Sequence, residues 1–279
     1  RQVYPRLGIV PGLILAPGWS QIPEVGLALA AKAAKINGVY SAMALLDLDT
    51  AKAKKYTDTK SVKEESGYTS PFCYPLWPCD RVGEYILAKS AVAGAMIQYM
   101  ASDNEDVPNQ SPSNHLLGVG GQCLEDGTEV YLDQDQANTV NGYGVTTAIN
   151  QNGYRLWGNY TGAYPASSDA KDIWFAVRRM FSWQGNNFIQ TYFDEVDDPM
   201  NNVLVQSVVD SENIRCSAYA PKYWAGASIE YKSDDNPKTA ILAGTMKFRQ
   251  HIAPYTPAQE IVDIIDYDTD TLAAAVGGN

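Results

Sequence analysis

Short apolar runs alternate with longer helical patterns along the first half of the chain. The run "GLILAP" at 12–17 has the continuous apolar character of a buried strand. The stretch "PEVGLALAAKAAKI" at 23–36 predicts a helix, with Pro23 suited to the first turn and alanines favouring the interior. A second buried strand is predicted in "VYSAMALLDLD" at 39–49, and residues 50–63 read as a helix followed by a loop. The aromatic, proline-broken "SPFCYPLWPCD" at 70–80 fits a strand only at the edge or end of a sheet. A long helix follows over about 83–102. Strand and helix in alternation predict a mostly parallel sheet with helices on both faces.

The pattern changes after the polar stretch 103–114. In "GVTTAINQNGYRLWGN" at 144–159, Asn152 and Gly153 sit between two strand-like runs, the strongest local hairpin signal in the chain. Helical patterns occupy 172–193 and 199–220, and in the first of them Ile173, Val177, Met180 and Phe181 share one apolar face. The end of the chain offers three strand-like runs, "ASIEYK", "AILAGTMKFRQHIAP" and "AQEIVDIIDYD". A boundary near residue 150 divides an α/β domain (1–150), with a mixed, mostly parallel sheet, from a smaller α+β domain (151–279). There is no internal repeat or low-complexity tract.

Composition narrows this picture. With 279 residues, 45% of them apolar, the chain can bury roughly three quarters of its unfolded surface. Its 21 basic and 32 acidic residues leave a net charge of −11, which disfavours phosphate backbones and anionic lipid as general partners. The apolar stretch at 85–101 is interrupted by Lys89 and Gln98 and is shorter than the ~20 residues a bilayer requires, so it predicts a core helix. The four cysteines, Cys73, Cys79, Cys123 and Cys216, match no zinc spacing and are expected to be buried free thiols. No signal peptide opens the chain, and it starts at Arg1 rather than a methionine, which leaves room for an upstream part.

Signs of catalysis are sparse. No dinucleotide-binding glycine motif, P-loop or nucleophile elbow is present. Asp47 and Asp49 end the second strand, where open α/β sheets often bind ligands, and solvated strand-end residues are the other reading. A hydrolase using Asp47, His115 and a later serine is the alternative function, although no serine downstream sits on a recognisable strained turn. The acidic runs at 133–135 and 266–270 lack the glycine and glutamate of an EF-hand loop. No metal or cofactor is expected.

Two stretches point instead to contacts. Tyr154, Leu156 and Trp157 should form a strand leaving the Asn152-Gly153 turn, with Trp157 packed at the domain junction. In residues 258–268, Glu260 precedes Ile261, Val262, Ile264 and Ile265, which lie among further charges. Two readings are open: a last strand inside its own sheet, or an unpartnered strand that pairs with another chain.

Several stretches together resemble, in order and spacing over some 250 residues, the contractile-tail sheath proteins of phages and R-type bacteriocin particles. "LILAPGWSQIPEV" resembles the family's strand-to-helix opening and "AMALLDLD" its second strand. "SAVAG" at 90–94, Asp103 and "SPSN" at 111–114 resemble its next helix and loop. "VNGYGVTTAINQNGYRLWGNYTG", followed by the "VRR" helix, resembles the segment ending in a Trp-Gly and a threonine. Tyr160 stands where many members have arginine, and the loop after Asp103 lacks a usual glycine. The resemblance implies a fragment without the N-terminal arm, comprising a central α/β domain of subtilisin-like shape and a C-terminal sheath domain. It also implies a structural, non-enzymatic subunit of a phage or prophage virion tail. Such subunits assemble in the host bacterial cytoplasm as a helical homo-oligomer of stacked hexameric rings around the tail tube protein. Baseplate and tail terminator proteins are further implied partners, with no direct nucleic acid contact and no membrane insertion. Contraction would drive the tube through the target envelope for genome ejection. Within this family residues 258–268 would be a donor strand. Arg178 and Arg179 would face the tube, with intramolecular ion pairs as their other use.

Overall fold

The computed structural model describes residues 2–277; Arg1 and the closing Gly278 and Asn279 lie outside them. Helix α1 (Val3–Leu7) leads into strand β1 (Leu13–Leu15), helix α2 (Pro23–Ala34) and strand β2 (Met43–Asp47). Then come α3 (Thr59–Ser66), β3 (Cys73–Leu76), β4 (Cys79–Val82), β5 (Tyr85–Leu87) and α4 (Lys89–Asp103). Pro23 is the first residue of α2, where its missing N–H costs no helical bond. Two expectations are corrected in this stretch. In 50–66 the loop comes first and the helix second, because Asp49 Oδ1 accepts from Ala51 N (2.9 Å) and turns the chain directly after β2. The long helix starts only at Lys89, since Gly83 (φ +59°) turns the chain and Tyr85–Leu87 pair antiparallel with β4.

Strands β1, β2 and β3 form a parallel sheet with β2 in the centre. The side chains of β2 alternate between two cores, as the pleat requires. Met43 and Leu45 join Ala93, Met96 and Ile97 of α4, while Ala44 and Leu46 join Ala30 and Ala33 of α2. Both faces of the sheet are therefore covered. Pro75 sits in the terminal strand β3, whose far side has no strand partner among the described residues and is met by a parallel bridge from Leu76 to Thr146 and by Gly162 N donating to Cys73 O (2.9 Å). The fold is mixed α/β, and its parallel part is confined to these three strands. β4, β5 and β6 (Gly121–Cys123) form a separate antiparallel sheet.

Helix α5 (Gln134–Gly142) is capped by Asp133, whose carboxylate accepts from Gln136 N (2.8 Å). It leads to the hairpin of β7 (Thr147–Asn150) and β8 (Tyr154–Trp157). The chain continues with α6 (Ala170–Ile173), α7 (Phe175–Thr191), α8 (Asn202–Tyr219), β9 (Trp224–Glu230), α9 (Lys238–Leu242), β10 (Arg249–Pro254) and α10 (Thr269–Ala275). Ile173 ends α6 and so leaves the apolar face of α7, where Val177 and Met180 are buried. Of the run "AILAGTMKFRQHIAP" only Arg249–Pro254 is a strand; its start is helix α9.

The second core lies between α7, α8 and the β9–β10 sheet. It contains Met180, Cys216, Tyr223 and Trp224, with Trp183 and Tyr219 packed against them. A buried carboxylate ties the same elements together. Glu212 on α8 accepts from Gln184 (2.6 Å) on α7, from Gln250 (3.2 Å) on β10 and from Arg215 (2.5 Å). All four cysteines are free, three buried and Cys79 half-buried. Among the described residues no helix is long and apolar enough to cross a membrane.

Candidate functional site

The stretch "NGYRLWGNYTG" builds a junction. The β7–β8 hairpin closes through residues 151–153, with Asn152 at φ +54°. Residue 150, where the sequence places a domain boundary, is the last residue of β7. The free edge of β8 is covered by the loop before it in sequence: Asn114 N donates to Leu156 O (2.6 Å), Leu156 N to His115 O (2.9 Å) and Leu117 N to Tyr154 O (2.9 Å). Alternation along β8 decides which side chains are buried. Tyr154 and Leu156 point inward, and Arg155 and Trp157 are half-buried. Leu156, fully buried, packs with Leu45, Leu76 and Phe175, so it joins the parallel sheet to the start of α7. Trp157 instead lies at the surface end of this junction and donates from Nε1 to Asn138 Oδ1 (2.8 Å). Gly158 (φ +149°) follows because a Cβ there would meet Thr146 Oγ1 at 2.5 Å.

Tyr160, notable in the sequence only as a departure from the sheath pattern, proves to be an anchor. Its ring stacks on Tyr164 (centroids 3.7 Å apart) and on Trp174 (4.8 Å). Its hydroxyl donates to Gln259 Oε1 (2.5 Å), ninety-nine residues away, and holds the root of the C-terminal tail. No local pattern signals this, since the partner is supplied by the tertiary fold.

Beyond that anchor the tail makes no strand. Residues 258–268 carry no secondary structure, so they are not a last strand in their own sheet within this chain. Ile261 is 90% exposed, Ile265 86% and Ile264 80%, and Val262 is exposed as well. Leaving such side chains in water forgoes about 1.5–3 kcal/mol each relative to burial. From Glu260 to Asp270 the tail carries five carboxylates and no lysine or arginine. The neighbouring β9–β10 sheet has two strands, and each has one edge without a strand partner among the described residues.

The other candidate residues are used inside the molecule. Arg178 pairs with Asp172 (3.1 Å) and lies over the Phe72 ring (4.3 Å), so its charge is committed internally. Arg179 lies over Phe175 (5.5 Å) and faces a cavity beside β1, where burial pushes its guanidinium down to about 10. Asp47 is buried at the end of β2. It accepts from Ser20 Oγ (2.9 Å), Ser90 N (2.8 Å) and Ser90 Oγ (2.5 Å), and so caps α4. Burial pushes its carboxyl up, against the opposing pull of Ser90, Ser20 and Lys89. His115 is exposed, lines a different cavity and shares no hydrogen bond with Asp47. Partial desolvation of its ring, then the nearby Arg155, lowers its pKa. The structure thus does not assemble the Asp47–His115 pair of the hydrolase alternative. Among the described residues no group of His, Cys, Asp and Glu could hold a metal ion.

The fold combines a doubly covered α/β core, a second α+β core and an exposed apolar tail. Comparisons with known proteins show what it is similar to. No protein-family profile matches the chain. It is 27% identical over 197 residues to the major tail sheath protein of Serratia phage KSP20, covering 67% of this chain and 48% of that protein. It is 24% identical over 270 residues to the tail sheath protein of Escherichia phage P2, covering 93% and 62%. The chain therefore spans about half to three fifths of the length of these relatives. Its fold matches the sheath complex of an extracellular contractile injection system in the contracted state, with TM-score 0.76 and 17% identity over 97% of this chain and 74% of that one. The chain is similar in sequence to phage tail sheath proteins and shares its fold with the chain of a contractile injection system's sheath complex.

Proposed function

We propose that this protein is a structural subunit of the contractile tail sheath of a phage or phage-like particle. In this reading residues 1–150 and 151–279 are the central and C-terminal sheath domains, and Tyr154, Leu156 and Trp157 tie them together. The observation that carries the proposal is the tail: Glu260, Ile261, Val262, Ile264 and Ile265 lie exposed and outside any strand, and they follow β10, whose outer edge has no strand partner among the described residues. A strand donated to a neighbouring copy would bury those side chains and complete a ladder at once. Heterologous contacts that do not close within one ring would stack copies helically around a tube. Contraction then exchanges one set of protein contacts for another that buries more surface. No bond in a substrate changes.

The sheath would belong to the particle's tail, assembled in the host cytoplasm, with tube, baseplate and tail terminator proteins as its partners. A tube contact through the arginine pair rests on Arg179, because Arg178 is committed to Asp172 and Phe72. The decisive experiment ends the full-length protein at Tyr255 and images it by electron microscopy. The expected result is a folded subunit that forms no striated tubes under conditions where the untruncated protein does. Tubes of normal length from the truncated protein would refute the donor strand.

A further inference from the structure

Of the four free cysteines, two face each other. Cys79 on β4 and Cys123 on β6 are paired directly in the antiparallel register of their sheet. Gln122 O accepts from Val130 N (2.9 Å) and Leu124 N donates to Thr128 O (2.8 Å), so these main-chain groups on either side of Cys123 turn away from β4. Those of Cys123 itself therefore turn toward β4, which makes the two cysteines a hydrogen-bonded pair with Cα atoms about 5.5 Å apart. Directly opposed side chains leave the sheet on the same face. Disulfides span Cα separations of about 4.4–6.8 Å, so the backbone already stands at bonding distance.

The other two thiols are placed differently. Cys73 faces Ala44 across the β2–β3 ladder and donates to Ser70 O (3.2 Å), and Cys216 lies on helix α8 and donates to Glu212 Oε1 (3.9 Å). Access also differs within the facing pair. Cys79 is half-buried and lines a cavity of about 270 Å³ between Gly18, Thr50, Ala88 and Glu125, whereas Cys123 is fully buried. A small reagent in that cavity would meet Cys79 first.

We propose that Cys79 and Cys123 are a reversible disulfide site, closed by exchange with a low-molecular-weight disulfide. The Cys79 thiolate attacks one sulfur of that reagent, whose S–S bond breaks and releases one thiol. The Cys123 thiolate then attacks Cys79 Sγ in the mixed disulfide and releases the second. Two protein thiols are oxidised, one reagent disulfide is reduced to two thiols, and the two cysteine protons pass to them. Arg81, two residues along β4, assists the second step, since its charge opposes the burial that raises the Cys123 thiol. Burial, then the charges of Asp47 and Cys123, push Cys79 up to about 12, so few thiolates form near neutral pH and closure is slow there. Closing the bond also draws the two Cβ atoms together by about 1 Å, a strain that makes the bridge easier to reduce than a structural disulfide. Once formed, it ties β4 to β6 and fixes both ends of the segment that carries β5 and α4. This chemistry does not depend on the sheath reading. Within that reading the subunit is made in a reducing cytoplasm and works outside it, where the pair can close.

The test exposes the full chain to hydroxyethyl disulfide at mildly alkaline pH, blocks the remaining thiols with N-ethylmaleimide, and counts and maps them by mass spectrometry. The expected result is four free thiols before treatment and two after, with Cys79 and Cys123 joined within one chain. The melting temperature should rise by about 5 °C on closure. Excess reduced glutathione should restore all four thiols and the original melting temperature. In Cys79→Ser and Cys123→Ser neither the link nor the rise should appear, while Cys73→Ser should retain both. Because a buried serine can unfold the chain, the wild-type map is the deciding measurement. A wild type that keeps four thiols after prolonged exposure would overturn the site. So would one that carries only reagent adducts, or that links either cysteine to Cys73, Cys216 or a second copy. A bridge that glutathione leaves intact would overturn its reversibility.

Discussion

Strand β2 has a neighbour on each edge and a helix on each face, and every one of its residues is buried. Strand β10 has one neighbour, alternates between exposed and half-buried positions, and leads into a tail whose isoleucines lie in water. The first region satisfies itself within one chain. The second does not, among the described residues. Backbone groups and apolar side chains obey the same physics in both, and under the proposed function a neighbouring copy would complete the second.

The largest effect that could break this comparison lies in the first region. Lys89 and Asp80 form an ion pair with both side chains fully buried, and burial pushes the Asp80 carboxyl up while Lys89 opposes it. Lys89→Ala would strand a carboxylate in the core, at a cost of roughly 3–5 kcal/mol in chemical denaturation. An unchanged denaturation midpoint would mean that this core is less closed than its geometry indicates.

At the junction, Leu156→Ala should cost about 2–5 kcal/mol, the range for a fully buried leucine. Trp157→Ala should cost less, about 1–2 kcal/mol, because the indole is half-buried and loses mainly one hydrogen bond to Asn138. A reversal of that order would return the junction to Trp157, as the sequence suggested.

A smaller effect depends on pH. Lys63 is buried, donates to Tyr143 O (2.9 Å) and Tyr164 O (2.5 Å), and is pushed down to about 8 by burial. Keeping it charged in the fold is a cost below pH 8. Above that, the unfolded chain still binds this proton and the folded one releases it, so stability rises with pH. Cys73, pushed up to about 12 by burial, opposes this once free thiols ionise near pH 9, as do Cys79, Cys123 and Cys216, whose thiols burial also pushes up. Between pH 8 and 9 the wild type should therefore gain about 1 kcal/mol of stability relative to Lys63→Met. Parallel profiles for the two proteins would contradict this assignment.

The smallest effect belongs to the second region. Ending the chain at Tyr255 removes the Gln259–Tyr160 bond and little other packing, so the free subunit should lose no more than about 1 kcal/mol while assembly is lost. A large fall in melting temperature would show that the tail is part of its own core.

Local patterns were sufficient wherever neighbours in sequence decide the outcome. The apolar runs at β1 and β2, the alanine-rich α2 begun by Pro23, the Asn152 hairpin and the two long helices α7 and α8 were all legible. So was the apolar, acidic character of 258–268, although the sequence could not tell an internal strand from an unpartnered one. Periodicity misplaced the start of α4 and the order of loop and helix in 50–66, because Gly83 and Asp49 impose turns that an apolar count does not register. The resemblance to sheath proteins was also legible in the order of weak motifs.

Contacts between distant segments were decided only in three dimensions. The pleat of β8 put Leu156 in the core and left Trp157 at its margin. The packing of α7 committed Arg178 to Asp172 and Phe72 and left Arg179 half-buried beside a cavity. The fold brought Tyr160 to Gln259 and left the Oδ1 of Asn141 and of Asn159 without a donor among the described residues. Sequence alone thus determined which segments can form helices or strands and that the chain carries an apolar, acidic end, since both depend on residues a few positions apart. Tertiary structure decided which side chains are buried, paired or left open, because burial and hydrogen bonding depend on what the rest of the chain places beside them.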